Sequence, residues 1–179
     1  MAVLRMLNRF WRANAGVAAI EFAFIGPVLI TLYFGVAELT QAMLAQRRLA
    51  HAASTMGDLV AQGTTIQASN FTDLWVVGQT IISPFPTSPL KMRITSIVAN
   101  AQGATTVAWS EASGMTPYGK NASITVDSGV VAASQSVIMS EISYTYTSPI
   151  SYIIHTPITF TNKYYLRPRL SDTVACSDC

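Results

Sequence analysis

Two cysteines near the end of the chain are the first residues whose spacing suggests chemistry. Cys176 and Cys179 form a C-x-x-C pair, and the 179-residue chain has no other cysteine. A structural zinc site needs four ligands, and a thioredoxin-type site needs a βαβ setting with a helix start, so neither fits this pair. In an oxidising compartment we expect a disulfide between the two, with pairing to another chain as the alternative.

The other residue types that commonly do catalysis are scattered. His51 and His155 have no cysteine or acid cluster beside them, so no metal site is expected. The serines fall in no Gly-x-Ser-x-Gly motif, and the glycines form no phosphate-binding loop. Glu111, Asp127 and Glu141 lie on separate predicted elements. We therefore expect no enzyme, no catalytic residue, no cofactor and no small-molecule substrate.

One acid is unusual because of its surroundings. Glu21 is the only charged residue among the 21 residues between Gly16 and Glu38. As a helix this run is roughly 30 Å long, the thickness of a bilayer core, so we expect it to span a membrane. A carboxylate in such a span is costly and usually has a partner, unless it lies at the helix end among the lipid headgroups.

The residues around Glu21 resemble the prepilin processing signal of type IV pilin-like proteins. Three arginines and no acid precede Gly16, and Glu21 is the fifth residue after that glycine. Glycine leaves the backbone accessible to a peptidase. The resemblance implies cleavage after Gly16 by a prepilin peptidase, with Val17 as the mature N-terminus. It also implies that Glu21 pairs with the N-terminal amine of a neighbouring subunit or helps to dock it.

The closer resemblance is to TadE-like pseudopilins of the tight-adherence (Tad/Flp) pilus system. It rests on GVAAIEFAFIGPVLITLYFGVAE, from Gly16 to Glu38, with weaker support from YYLRPRL, from Tyr164 to Leu170. The major Flp pilins have Glu-Tyr where this chain has Glu21-Phe22, and they are very short, whereas 163 residues follow Gly16 here. The resemblance therefore implies a minor structural component with Glu21 and Phe22 at assembly contacts. Its implied partners are the prepilin peptidase, other Tad pseudopilins, the Flp pilin and the Tad assembly machinery.

The distribution of charge predicts the orientation in the membrane. The basic leader favours a cytoplasmic N-terminus, and Arg47 and Arg48 on the far flank oppose it more weakly. We expect a single-pass protein of the bacterial inner membrane with a periplasmic C-terminal domain. A conventional signal peptide has a shorter apolar core of about 7–15 residues. Small residues near Ala37 and Ala42 nevertheless leave cleavage by ordinary signal peptidase as an alternative.

The overall composition excludes one class of partner. Half of the residues are apolar and 11% are charged, against about a quarter in soluble proteins. Eight basic and nine acidic residues follow Gly16, a net charge of −1. This balance provides no basic surface for nucleic-acid binding.

Two helices are predicted to position these residues. From Glu38 to Gln62 good helix formers follow without a proline, so the span is expected to continue as an amphipathic helix until Gly63. Its apolar stripe could pack on sister subunits or on the chain's own globular domain; its members are Leu39, Ala42, Met43, Leu49, Ala53, Met56 and Val60. A second, short helix is expected to begin at a cap on Asn70 or Thr72 and to end before Pro84.

At least four strands are predicted in the second half of the chain. β-branched and alternating runs cover residues 92–99, 105–110, 137–146 and 158–165, with a turn at Gln102-Gly103. The fold class is therefore α+β: a long N-terminal helix followed by a small antiparallel sheet domain. The expected segments are a leader at 1–16, a helix at 17–62 and a periplasmic domain at 63–179. The alternative function is a membrane-anchored or secreted periplasmic binding module or enzyme, which would require a polar pocket with converging groups.

Overall fold

The computed structural model describes residues 15–127 and 129–179 of the chain. Apart from its last two residues, the predicted basic leader lies outside this range. The described residues form a long helix, a shorter helix and two small sheets; their elements are α1 (Ala15–Ala61), β1 (Thr65–Ile66), α2 (Asn70–Ile82), β2 (Leu90–Ala99), β3 (Thr105–Ser113), β4 (Ser136–Tyr146), β5 (Ile158–Leu166) and β6 (Ala175–Cys176). The predicted α+β class is confirmed.

Helix α1 runs for 47 residues without interruption. Its sequence is rich in alanine and leucine, which have high helix propensity. Pro27 lies inside the helix without ending it, and the hydroxyl of Thr31 donates to the carbonyl of Pro27 at 2.8 Å. The helix ends at Ala61, two residues before Gly63.

The main sheet has four antiparallel strands in the order β3-β2-β4-β5. Strands β2 and β3 form a hairpin in which Gly103 adopts a φ of +81°, which a residue without a Cβ tolerates. All four predicted strands are present, each within three residues of its expected bounds.

Both faces of the sheet are covered, which explains the nearly continuous burial of β4. On one face, Gly57 of α1 approaches Ser140 and Leu166. On the other face, Ile97, Val137 and Met139 form a buried cluster under the segment that links β3 to β4; its partly buried members include Tyr118, Ile124, Val126, Val130 and Val131.

The C-terminal tail is held by a second, two-stranded sheet. Strand β6 pairs in parallel with β1, and the indole Nε1 of Trp109 donates to the carbonyl of Val174 at 2.7 Å. Cys176 and Cys179 are joined by a disulfide. The backbone N–H of Ala68 donates to Asp178 at 3.0 Å.

The chain contains two compact units. The first consists of α1 as far as Gln41 together with the loop Ser148–His155, which connects β4 to β5. The second consists of Ala42–Thr147 and Thr156–Cys179. In this second unit the remainder of α1, α2 and the sheet enclose the core.

Two details differ from the expectations. The N-cap of α2 is Ser69, without a side-chain cap bond, whereas the Asn70 side chain accepts the backbone N–H of Gln67 at 2.9 Å. Neither Asn70 nor Thr72 is therefore the cap. The predicted stripe on α1 was also too long, because Leu39 and Met43 are exposed while Ala42 and the members from Leu49 to Val60 are buried.

Candidate functional site

The first half of α1 presents a large apolar surface to its surroundings. Most of its large side chains are exposed; they are Val17, Ile20, Phe22, Phe24, Ile25, Val28, Leu29, Ile30, Leu32, Tyr33 and Val36. Apolar patches of this extent mark interaction sites with proteins or membranes. The helix is also long and apolar enough to cross a bilayer, consistent with a single-pass anchor.

The residues predicted for processing and assembly lie at the beginning of this surface. Gly16, Val17, Glu21 and Phe22 are all exposed, and the exposed fraction of Phe22 is 72%. Apart from its chain neighbours and the nearby backbone of its own helix, no described atom lies within 4 Å of the place where a Cβ on Gly16 would stand. Among residues 15–127 and 129–179, no hydrogen bond or ion pair involves the carboxylate of Glu21.

A second acid on the same helix has a very different environment. The side chain of Glu38 is 1% exposed. Its Oε1 accepts the hydroxyl of Ser148 at 3.0 Å and the backbone N–H of Tyr152 at 2.6 Å. Its Oε2 accepts the backbone N–H groups of Ile153 at 2.9 Å and Ile154 at 2.7 Å. Charge-assisted hydrogen bonds of this kind are stronger than neutral ones, so Glu38 holds the loop on the helix.

The loop Ser148–His155 is shaped around this carboxylate. Ser151 adopts a φ of +51°, and the Oγ of Ser148 accepts the backbone N–H of Ser151 at 3.2 Å. The ring of Tyr152 lies 5.5 Å from that of Phe34, and its hydroxyl is 3.4 Å from the hydroxyl of Thr31. We define Glu38 and this loop as the Glu38 clasp.

The Glu38 clasp was not predicted from the sequence. In the sequence Glu38 marks the end of the apolar run, and it is one of three acids on α1, with Glu21 and Asp58. The loop partners are 110 to 116 residues away in sequence. The available signal was the position of an acid directly after an apolar run together with the uncharged segment SPISYII after β4.

The comparison with protein families bears on the same helix. Residues 16–56 match the family described as TadE-like protein. This match confirms the resemblance inferred from Gly16 to Glu38 and extends it into the second half of α1. The family is structural and related to Tad pili, and it implies an association with the Tad pilus machinery.

The TadE-like segment contains Gly16, Glu21 and Glu38, whereas the loop Ser148–His155, the sheets and the Tyr164–Leu170 stretch lie outside it. No curated protein and no solved structure matches the chain.

Outside the TadE-like segment, one cavity is lined by charged residues that are already paired with one another. The Nε of Arg93 donates to Glu141 at 2.8 Å, and the Nζ of Lys163 lies 3.2 Å from the same carboxylate. Arg93 also donates to the Thr116 carbonyl and the Tyr118 hydroxyl, both at 2.8 Å. Burial lowers the pKa of Lys163, but the hydrogen bond and charge of Glu141 outweigh it and raise that pKa above its usual value.

These three charged residues are direct neighbours across β2, β4 and β5. Opposite charges in such positions stabilise a sheet. We therefore assign them to strand pairing. The two histidines lie elsewhere: His51 and His155 are both exposed, and His51 has its Nδ1 3.5 Å from the hydroxyl of Thr55.

Proposed function

We propose that this protein is a minor pilin-like component, a pseudopilin, that acts in assembling a Tad/Flp adhesion pilus. The observation that carries the proposal is the exposed apolar first half of α1, whose apolar run follows Gly16 and contains one exposed acid. The TadE-like match over residues 16–56 supports it.

In this proposal α1 stores the subunit in the inner membrane, with its N-terminus in the cytoplasm and the domain at 63–179 in the periplasm. A prepilin peptidase removes residues 1–16. The exposure of Gly16 and Val17 is consistent with access by a peptidase.

Glu21 then provides a polar contact point between helices. A carboxylate surrounded by lipid is unfavourable, so an interaction with a neighbouring amine or polar group lowers its free energy. Such pairing favours association with other Tad pseudopilins or the Flp pilin at a defined register. Phe22 contributes apolar contact area beside it.

The first test is the intact mass of the mature protein in a host with an active Tad system. We expect a chain that begins at Val17 in the unsubstituted protein. Gly16→Leu should leave the leader attached, because a bulky side chain blocks the cleavage site. Gly26→Ala is the matched control on the same helix and should be processed normally. A mature chain that begins near Ala37, or one that retains residues 1–16, would contradict the proposal.

The second test separates processing from assembly. Glu21→Ala should be cleaved normally but should reduce the number of pili and the crosslinking of this chain to its Tad partners. Glu21→Asp, which keeps the charge, should retain part of the piliation and part of the crosslinking. Normal piliation by Glu21→Ala would show that Glu21 is not an assembly contact.

A further inference from the structure

The loop of the Glu38 clasp has an unusual surface for a loop. Residues 148–155 read SPISYIIH and contain no Asp, Glu, Lys or Arg. Ile150, Tyr152 and Ile153 are 45%, 46% and 47% exposed. Single exposed apolar residues are common, but three in one short loop form a patch that requires an explanation.

The backbone of this loop is already satisfied. The N–H groups of Ile150 and Ser151 donate to the Oγ of Ser148, and those of the next three residues donate to the carboxylate of Glu38. Five consecutive N–H groups are therefore bonded to two side chains. Irregular backbone enters an apolar environment only where its polar groups have such partners.

The loop also lies at a defined depth along α1. Ile153 Cγ1 lies 3.5 Å from the place of a Cβ on Gly35, and Tyr152 contacts Thr31 and Phe34. These residues form the last two turns of the apolar run, roughly 21–27 Å from Val17 along the helix axis. If Val17 lies at one boundary of a hydrocarbon core about 30 Å thick, these contacts lie just inside the opposite boundary.

Tyrosines mark the same level. Tyr33 on the helix is 70% exposed and Tyr152 on the loop is nearly half exposed. Tyrosine and tryptophan are enriched at membrane interfaces, where an apolar ring and a polar tip are both accommodated.

We propose that the loop Ser148–His155 is a membrane-interface anchor whose Ile150, Tyr152 and Ile153 insert into the leaflet opposite Val17, with Glu38 as the positioning residue. The proposal rests on the proposed function in one respect, since it requires α1 to span the bilayer. The occupant is the phospholipid interface itself. Because the loop has no charged residue, the contact does not depend on anionic headgroups.

Spin labels on single cysteines test this depth. The full chain is placed at one copy per lipid nanodisc, with Cys176 and Cys179 kept oxidised, and the label is attached to Ile150→Cys. Leu32→Cys is the reference in the span, and Ala101→Cys, in the exposed β2–β3 turn, is the reference in water. The measurement is the ratio of collisions with oxygen, which concentrates in lipid, to collisions with a water-soluble nickel complex.

We expect the ratio at Ile150 to lie at least halfway from the Ala101 value to the Leu32 value, and to be equal in discs of neutral and of anionic lipid. If Ile150 shows the ratio of Ala101 while Leu32 shows the high ratio expected in lipid, the loop is not an anchor but α1 still spans the bilayer. If both Leu32 and Ile150 show the low collision ratio of Ala101, α1 does not span the bilayer, and the proposed function is overturned as well. Protection of Ile150 from both reagents would show that protein, not lipid, covers the loop.

A second variant tests the positioning role of Glu38. Adding Glu38→Ala to the Ile150→Cys chain removes the acceptor of three loop N–H groups and should move the ratio towards the Ala101 value. Adding Thr40→Ala, an exposed neighbour on α1, should leave it unchanged. An unchanged ratio in the Glu38→Ala chain would overturn the assignment of Glu38 as the positioning residue.

Discussion

The two halves of α1 are continuous in backbone but differ in what covers them. In the first half, up to Gln41, bulky side chains such as Phe24 and Leu32 are exposed. In the second half the residues that face the core are mostly small, and Ala45, Ala52 and Ala53 are fully buried. Small residues allow a helix to approach a sheet closely, whereas bulky exposed ones require a cover from outside the chain.

This difference decides between the two roles considered for the stripe on α1. The buried part, from Ala42 to Ala61, packs on the chain's own sheet and on α2, so it is not free for sister subunits. The apolar surface that remains available is the first half, where the TadE-like segment begins. The Glu38 clasp is the place where this half is covered by another part of the same chain.

The largest expected effect concerns the clasp. Glu38→Ala removes the acceptor of the N–H groups of Tyr152, Ile153 and Ile154, so their protection from hydrogen exchange should fall about 10- to 100-fold. Glu21→Ala is the matched control, because Glu21 has no such contacts among the described residues, and it should leave the three amides unchanged. Hydrogen exchange followed by mass spectrometry of the loop peptide measures both. Equal protection of these three amides in the two variants would mean that Glu38 does not hold the loop, which would contradict the prediction.

The second prediction tests the close packing of the second half. A Cβ on Gly57 would lie 3.1 Å from Ser140 Cβ and closer still to a methyl group of Leu166. Gly57→Ala should therefore lower the free energy of unfolding by about 1–3 kcal/mol. Thermal unfolding monitored through the fluorescence of Trp75 and Trp109 reports on this unit.

The control for Gly57 is a glycine in the first half of the same helix. A Cβ on Gly26 would meet nothing closer than the ring of Phe22 at 3.7 Å, an ordinary contact. Gly26→Ala should leave the midpoint temperature of unfolding unchanged. A stable Gly57→Ala variant would indicate looser packing of α1 on the sheet than the distances show.

The third prediction uses two adjacent arginines on the second half. Nη1 of Arg48 donates to the carbonyl of Ile81 at 3.2 Å and to that of Ser83, which ties α1 to the end of α2. Arg48→Ala should cost about 1–2 kcal/mol, since it leaves two carbonyls without this donor. Arg47 is exposed, and Arg47→Ala should cost less than about 0.5 kcal/mol. Similar losses in the two variants would contradict the structural role of Arg48.

Local pattern was sufficient to predict most of the fold. The strands alternate and carry β-branched residues, and their ends are marked by Gln102-Gly103 and by prolines, so β2 to β5 were found with small errors in their bounds. The α1 helix was evident because no strong breaker interrupts it after Pro27. The apolar run and the acid within it were likewise readable from the sequence.

Long-range contacts were not readable in this way. Arg47 and Arg48 are the same residue type side by side, and only the position of α2 distinguishes them. Glu38 looks like a helix-end acid until the loop after β4 is known to return to it. The β1–β6 pair contains two residues per strand, too few to show any periodicity.

The smallest expected effect concerns the ion pair at the end of the second half of α1. The guanidinium of Arg169 contacts the carboxylate of Asp58, and the backbone N–H of Arg169 donates to the carbonyl of Ala61 at 2.9 Å. The Arg169 side chain is 61% exposed, so solvent screens the pair and Arg169→Ala should cost less than about 1 kcal/mol. The backbone bond survives this substitution and continues to hold the tail at the helix end. Raising the salt concentration should reduce the loss further, as measured by the same fluorescence transition. A loss of unfolding free energy as large as that of Arg48→Ala would contradict this, because it would mean that the exposed Arg169 side chain stabilises α1 as much as the part-buried Arg48 does.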